Sequence, residues 1–175
     1  MGELDGFVVY DKPTLRKAYD LFRTIAPGLV FTHSPEDYMR DHELASLIAR
    51  ASCFLYAAPN VSSLPVKEGS AVPYLYFCDP VEALDHYGNI AKADTYVDIS
   101  SVFNKKIEML SCHASQRQWL LAHHGVDEYM DMMKRHAALR GSEIGVPQAE
   151  AFVQYKAHAF PRDNILERLF GKKWE

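Results

Sequence analysis

With 175 residues, 48% of them apolar and 24% charged, the chain has the composition of one globular domain with a real core, and it is short for two ordinary domains. A net charge of −4 gives no electrostatic basis for binding nucleic acid or an anionic membrane. No apolar run approaches the ~20 residues that span a bilayer, and the N-terminus lacks the basic-then-apolar pattern of a secretory leader.

Taken in chain order, Phe7–Tyr10 is a short candidate strand. Thr14–Ile25 places Leu15, Ala18, Tyr19, Phe22 and Ile25 at helical spacing, with Thr14 as its cap and Pro27-Gly28 as its stop. Leu29–Thr32 reads as a short buried strand. A second helical period follows through Leu44, Leu47, Ile48, Ala51 and Phe54 or Leu55, ended by Pro59-Asn60. Val72–Cys78 and Thr95–Ile99 are further strands, and Val102 to about His123 is read as one helix with Ile107, Leu110, Ala114 and Leu121 inward. Asp127–Leu139 is a helix capped by Asp127 and closed near Gly141, and Ala149–Tyr155 and Asn164–Phe170 are shorter elements. Strand-helix alternation predicts an α/β fold with an open, mostly parallel, Rossmann-like sheet. Three scattered cysteines, Cys53, Cys78 and Cys112, show no Cys-x-x-Cys spacing and read as reduced core thiols in a cytoplasmic protein.

Chemistry concentrates where the strand at Leu29 ends. His33, Asp37, Asp41 and His42 put four ligand-type or acid-base groups within ten residues, at the place where open α/β sheets bind ligands. Asp37 is the expected N-cap of the next helix, which sets Asp41 and His42 in its first turns. Tyr38 and Met39 are then neighbours of His42 at four- and three-residue spacing. The same residues also suit a capped helix with solvated charges, and spacing alone leaves both readings open.

Thr32-His33-Ser34-Pro35-Glu36-Asp37-Tyr38-Met39-Arg40-Asp41-His42-Glu43 resembles the third motif of the LmbE/PIG-L family of zinc-dependent N-deacetylases, whose core is Asp-Tyr-His-x-Asp-His. Further similar stretches follow in order: Cys53 to Asn60, Tyr96-Val97-Asp98-Ile99 with Lys105 or Lys106, His113-Ala114-Ser115-Gln116, Gln148 to Phe152, and His158-Ala159-Phe160-Pro161. The resemblance implies one domain over 1–175, with zinc as cofactor and an N-acetylated sugar or sugar-like small molecule as substrate. By the resemblance, His42 is a zinc ligand and Asp41 polarises the neighbouring histidine that stabilises the oxyanion. Met39 stands in that histidine's place, and a thioether donates no hydrogen bond to an oxyanion. Losing one such donor typically costs ~10²–10³ in rate. His33 is the candidate to substitute for it. Asp37, Tyr38 and Met39 are candidate substrate contacts, and His113 and Asp98 are candidate supporting residues behind the site, although Asp98 equally suits the cap of the next helix.

The family's first motif, Ala-His-Pro-Asp-Asp, supplies two more zinc ligands and the general base, and nothing like it occurs in this sequence. A catalytic zinc needs three protein ligands and an open position. The sequence therefore reads as an N-terminally incomplete domain, impaired alone and completed by a homo-oligomer partner or a complementing N-terminal polypeptide. The alternative is a non-catalytic binding or scaffold subunit that keeps the fold. Three other features carry local readings: His123-His124 as cations at a helix end before Gly125, Asp79-Pro80 as a turn open to substrate contact, and Met130, Met132 and Met133 as core.

Overall fold

The computed structural model describes residues 2–124 and 128–171. The chain divides into two compact units, Met1–Asp94 with Phe152–Ile165, and Thr95–Ala151 with Leu166–Glu175.

In the first unit, α1 runs over Lys12–Ile25. Its cap is Asp11, whose carboxylate accepts the Thr14 N–H at 2.9 Å, so the helix starts before the expected Thr14. Pro13 occupies the first turn, where a missing N–H costs nothing. The helix ends at Ala26, a non-glycine residue in the left-handed region with φ 52°. β1 is Leu29–Thr32, α2 is Arg40–Leu55 and β2 is Tyr74–Cys78. β1 and β2 pair in parallel, in register from Leu29 opposite Tyr74 to Thr32 opposite Phe77. β1 is an edge strand, with Phe31 exposed, where the sequence suggested a buried one. β2 also pairs with the end of β4, Ala149–Gln154, and this pairing is antiparallel, with Phe77 opposite Val153.

The sheet is thus mixed, in the order β1-β2-β4-β3, which corrects the mostly parallel expectation while keeping the α/β class. Phe7–Tyr10 forms no strand; its side chains at Phe7, Val9 and Tyr10 are exposed. Cys53, Leu75, Phe77 and Phe160 make the core of this unit, joined by Phe22, Val30, Val72 and Tyr155. Burial pushes the Cys53 thiol up to about 12.

Among the buried polar side chains of this unit one is a guanidinium. Arg23, 4% exposed on α1, donates from Nε to the carbonyl of Tyr56 at 2.6 Å and from its terminal nitrogens to the carbonyls of Ala58, Ser62 and Leu64. The guanidinium organises the non-regular chain that leaves α2, whose carbonyls would otherwise lack partners.

In the second unit, β3 is Thr95–Asp98, α3 is Phe103–Ser111, α4 is Ala114–His124, α5 is Glu128–Glu143 and α6 is Ile165–Phe170. The single helix expected from Val102 to His123 is broken at Cys112-His113, and Ala114 and Leu121 are exposed rather than inward. Cys112 is exposed as well, so the core reading holds fully for Cys53 alone. Gly141 does not close α5, which continues to Glu143. A Cβ there would lie 2.5 Å from the Val146 carbonyl oxygen, so glycine is required for close chain approach. Met130 is buried as expected and Met132 and Met133 are half-buried. The cap assigned to Asp127, Gly125, and the side chains of Gln116, His123 and His124 lie outside the described residues.

Replacing Arg23 with Leu should leave the buried Tyr56 carbonyl and the part-buried carbonyls of Ala58, Ser62 and Leu64 without this donor and cost roughly 3 kcal/mol, read as a fall in the urea midpoint. Arg16→Leu on the exposed face of the same helix should change stability by less than ~0.5 kcal/mol.

Candidate functional site

Parallel pairing sends the chain out of β1 and β2 at the same end of the sheet. Two loops, 33–39 and 79–92, therefore start side by side. Open α/β sheets bind ligands at such strand ends.

The first loop gathers three of the residues expected there. Asp37 is buried and is not the N-cap of α2; that position belongs to Met39, which makes no side-chain cap. The Asp37 carboxylate instead accepts the Met39 N–H and sits 3.0 Å from His42 Nδ1. A carboxylate only accepts, so it fixes the hydrogen of His42 on Nδ1 and leaves Nε2 with a lone pair. The His33 ring lies parallel to that of His42, with centroids 4.1 Å apart and planes 3° apart. His33 titrates below the usual histidine range, first because the stacked face is desolvated and then through the neighbouring His42, with Asp37 acting the other way. Tyr38 packs edge-on to His42 at 6.2 Å and is otherwise exposed. Met39 offers the His42 and Glu43 backbone N–H groups its carbonyl.

Asp41 is placed differently from the expectation. Its carboxylate accepts the backbone N–H groups of Gly6 and Val8, so it anchors the N-terminal segment rather than a neighbouring imidazole. Asp98 and His113 fall in the second unit. Asp98 accepts the Ser100 N–H at 2.9 Å and so caps a turn, and His113 is an exposed residue at the break between α3 and α4, not a residue within a helix.

The second loop supplies a residue that the sequence reading missed. His86 Nε2 is 2.8 Å from the Asp37 carbonyl and 3.1 Å from Glu43 Oε1. The loop that carries it is tightly built. Asp85 accepts from the Tyr87 and Asn89 N–H groups and the Asn89 amide, and Leu84 bridges Ile90. Glu82 and Ala83 are left-handed at φ 60° and 57°, a conformation that costs ~1–3 kcal/mol per non-glycine residue and survives where the surroundings fix it. Asp85-x-x-Gly88-Asn89 is the turn signal that could have drawn attention to this loop. A cavity of about 560 Å³ lies between it and the strand ends. Phe77, Pro80, Ile90 and Val153 form its apolar wall, with Ser34, Glu36, Asp79, Asp85, Asn89 and Lys92 as its polar groups.

The resemblance implies zinc, and the geometry tests it. Zinc binds an imidazole nitrogen in the ring plane at ~2.0–2.1 Å. Two parallel rings 4.1 Å apart share no common plane for one ion, so His33 and His42 do not hold it together, and the Asp37-held Nδ1 leaves His42 Nε2 as a single available ligand. Among the described residues no three His, Cys, Asp or Glu side chains form a metal-holding group. Against the three protein ligands of a catalytic zinc, the described side chains do not by themselves fit a zinc site.

The fold is shared with solved structures of other proteins. Those solved structures are the crystal structure of GalB, the 4-carboxy-2-hydroxymuconate hydratase from Pseudomonas putida KT2440, with TM-score 0.61, 23% identity and coverage of 89% of this chain and 63% of that one; an N,N'-diacetylchitobiose deacetylase from Pyrococcus horikoshii, with TM-score 0.68, 20% identity and coverage of 87% and 55%; and the conserved protein TT1542 from Thermus thermophilus, with TM-score 0.67, 20% identity and coverage of 93% and 68%. At the level of sequence, a 4-oxalmesaconate hydratase of Pseudomonas putida is 31% identical over 107 residues, which are 61% of this chain. The match spans only 40% of that curated relative. No protein-family model matches the chain. No described helix is long and apolar enough to cross a membrane.

Asp41→Ala should free the N-terminal segment, seen as at least ten-fold faster amide exchange at Gly6 and Val8 with α2 unchanged. His86 titrates above the usual histidine range, chiefly because it donates to the Asp37 carbonyl and then because the Glu43, Glu36 and Asp85 carboxylates surround it. Its contribution to holding the loop is therefore full below the unfolded value of ~6.5 and fades as pH rises through the raised folded value. An NMR titration of the ring should show a midpoint above the ordinary one, falling towards it in Glu43→Gln.

Proposed function

We propose that this chain belongs to the LmbE/PIG-L-like group and activates water for addition to a small unsaturated organic acid, in the manner of a hydratase. The observation that carries this reading is the Asp37–His42–His33 arrangement at the carboxyl ends of two parallel strands. Asp37 holds the His42 hydrogen on Nδ1, so His42 Nε2 can take a proton from water. The resulting hydroxide attacks the electron-poor carbon of a C=C bond conjugated to a carbonyl, and the protonated form of His33 gives its proton to the neighbouring carbon; His42 then releases one proton to solvent and His33 regains one from it. The 31% identity to a 4-oxalmesaconate hydratase supports hydration over amide cleavage. So does Met39, which cannot serve the tetrahedral oxyanion of an amide hydrolysis. Ser34, Asn89 and Lys92 offer donors to substrate carboxylates from the cavity wall.

A second reading, zinc-dependent hydrolysis of an N-acetylated sugar or similar small molecule, is favoured by one observation. Three carboxylates, Glu36, Asp79 and Asp85, line the cavity against one cation, Lys92, which suits a neutral polar substrate better than a polyanion. In that reading His42 Nε2 is the nitrogen left for zinc, and the remaining ligands come from outside the described residues.

Two assays separate these readings: loss of the absorbance of the carbonyl-conjugated C=C of 4-oxalmesaconate, and acetate release from N,N'-diacetylchitobiose. Hydration that falls ~10²–10⁴-fold in both His42→Ala and His33→Phe is the expected result. Hydration unaffected by either substitution would sink the site assignment. Acetate release that requires added zinc would move the assignment to the deacetylase reading. Binding of either compound without turnover would instead identify a scaffold that keeps the fold.

A further inference from the structure

We infer that His86 is a positioning residue for His42, acting through the Asp37 turn. Its effect on catalysis rests on the acid–base reading above; the positioning itself does not.

The turn that presents His42 is tied within itself by Asp37, whose carboxylate holds the Met39 N–H and His42 Nδ1, while Met39 at the cap position adds no side-chain hydrogen bond. His86 adds a tie from outside, 49 residues from Asp37. Its Nε2 donates to the carbonyl of Asp37, before the helix, and lies 3.1 Å from Glu43 Oε1, within the first turn, as an ion-pair neighbour. One ring nitrogen thus meets the segment at both ends. Asp37 then passes the constraint on. Its backbone is held by His86, and its buried carboxylate holds the Met39 N–H and His42 Nδ1. A rotation of the Asp37 peptide would swing that carboxylate away from the ring whose tautomer it sets.

The loop bearing His86 is built to hold still. Asp85, immediately before it, gathers three donors from Tyr87 and Asn89, and Leu84 pairs with Ile90 across the turn. The loop base is fixed by the fully buried Ala83, whose carbonyl accepts the Ala91 N–H at 2.7 Å. A loop with no such internal bonding could carry a histidine but could not transmit position through it. His86 touches no part of the His42 ring, so it acts on geometry and not as a reacting group.

The test reads the His42 ring directly, by long-range proton–nitrogen NMR on the chelator-treated full chain. The unaltered protein should show His42 predominantly as the Nδ1–H tautomer. His86→Phe keeps the ring but removes the donor, and should lower the ratio of Nδ1–H to Nε2–H at least ten-fold. His86→Gln retains a donating amide N–H near the same place and should restore most of that ratio. Asp85→Ala, which loosens the loop without removing His86, should give an intermediate fall, and it serves if His86→Phe does not fold. An unchanged ratio in a folded His86→Phe protein overturns the inference. Equal loss in Phe and Gln variants also overturns it, because packing rather than the donated hydrogen would then be at work. A protein with no hydratase activity whose His42 tautomer still answers to His86 would overturn the acid–base reading and leave the positioning role standing.

Discussion

The parallel register of β1 and β2 is the constraint on which the first unit depends. Because Leu29 lies opposite Tyr74 and Thr32 opposite Phe77, both strands finish at the same edge. An antiparallel pair would have sent the His33 loop and the Asp79 loop to opposite ends. In the observed arrangement a loop from each strand can contact the other, and His86 reaches Asp37 across it. Parallel strands require a long crossover between them, and here α2 and the chain after it supply it. That crossover leaves α2 through backbone with few regular partners, and the buried Arg23 takes up four of its carbonyls. The guanidinium and the strand register are therefore two halves of one solution: the register creates the return path, and the arginine makes it stable in an apolar setting.

Periodicity made much of this fold legible. The apolar spacing through Ala18, Tyr19 and Phe22, and through Leu44 to Phe54, located both helices of the first unit, and Leu29–Thr32, Val72–Cys78 and Thr95–Ile99 each contained a strand. The misses share a cause. Strand direction, the helix break at Cys112-His113 and the failure of Phe7–Tyr10 to pair are decided by long-range partners, which leave no local pattern. β4 turned out antiparallel to β2 because of where the chain returns from, which no stretch of ten residues encodes. Capping was misplaced for a subtler reason: Asp11 and Asp37 are both good cap residues, yet Asp11 caps and Asp37 spends its carboxylate on His42.

The candidate site was half legible. The order of residues from Thr32 to Glu43 marked the histidines and acids as a group, and of these the structure brings His33, Asp37 and His42 together. Asp41 looked like a partner for its neighbours, but a side chain in a first helical turn can equally face the incoming chain, and it accepts from Gly6 and Val8. His86 was invisible because its importance lies wholly in a contact 49 residues away. Asp98 accepts the Ser100 N–H in a turn and His113 stands exposed at a helix break, both in the second unit.

The three cysteines end up in three different settings. Cys53 has no exposed surface and a thiol raised to about 12, so at neutral pH it holds almost no thiolate to react with an alkylating reagent. Cys112 stands exposed where α3 gives way to α4. Mild maleimide treatment of the native protein thus separates the two by reactivity alone. A fluorophore or spin label can be carried at the helix break of the second unit, with the core thiol of the first serving as an internal reporter of unfolding.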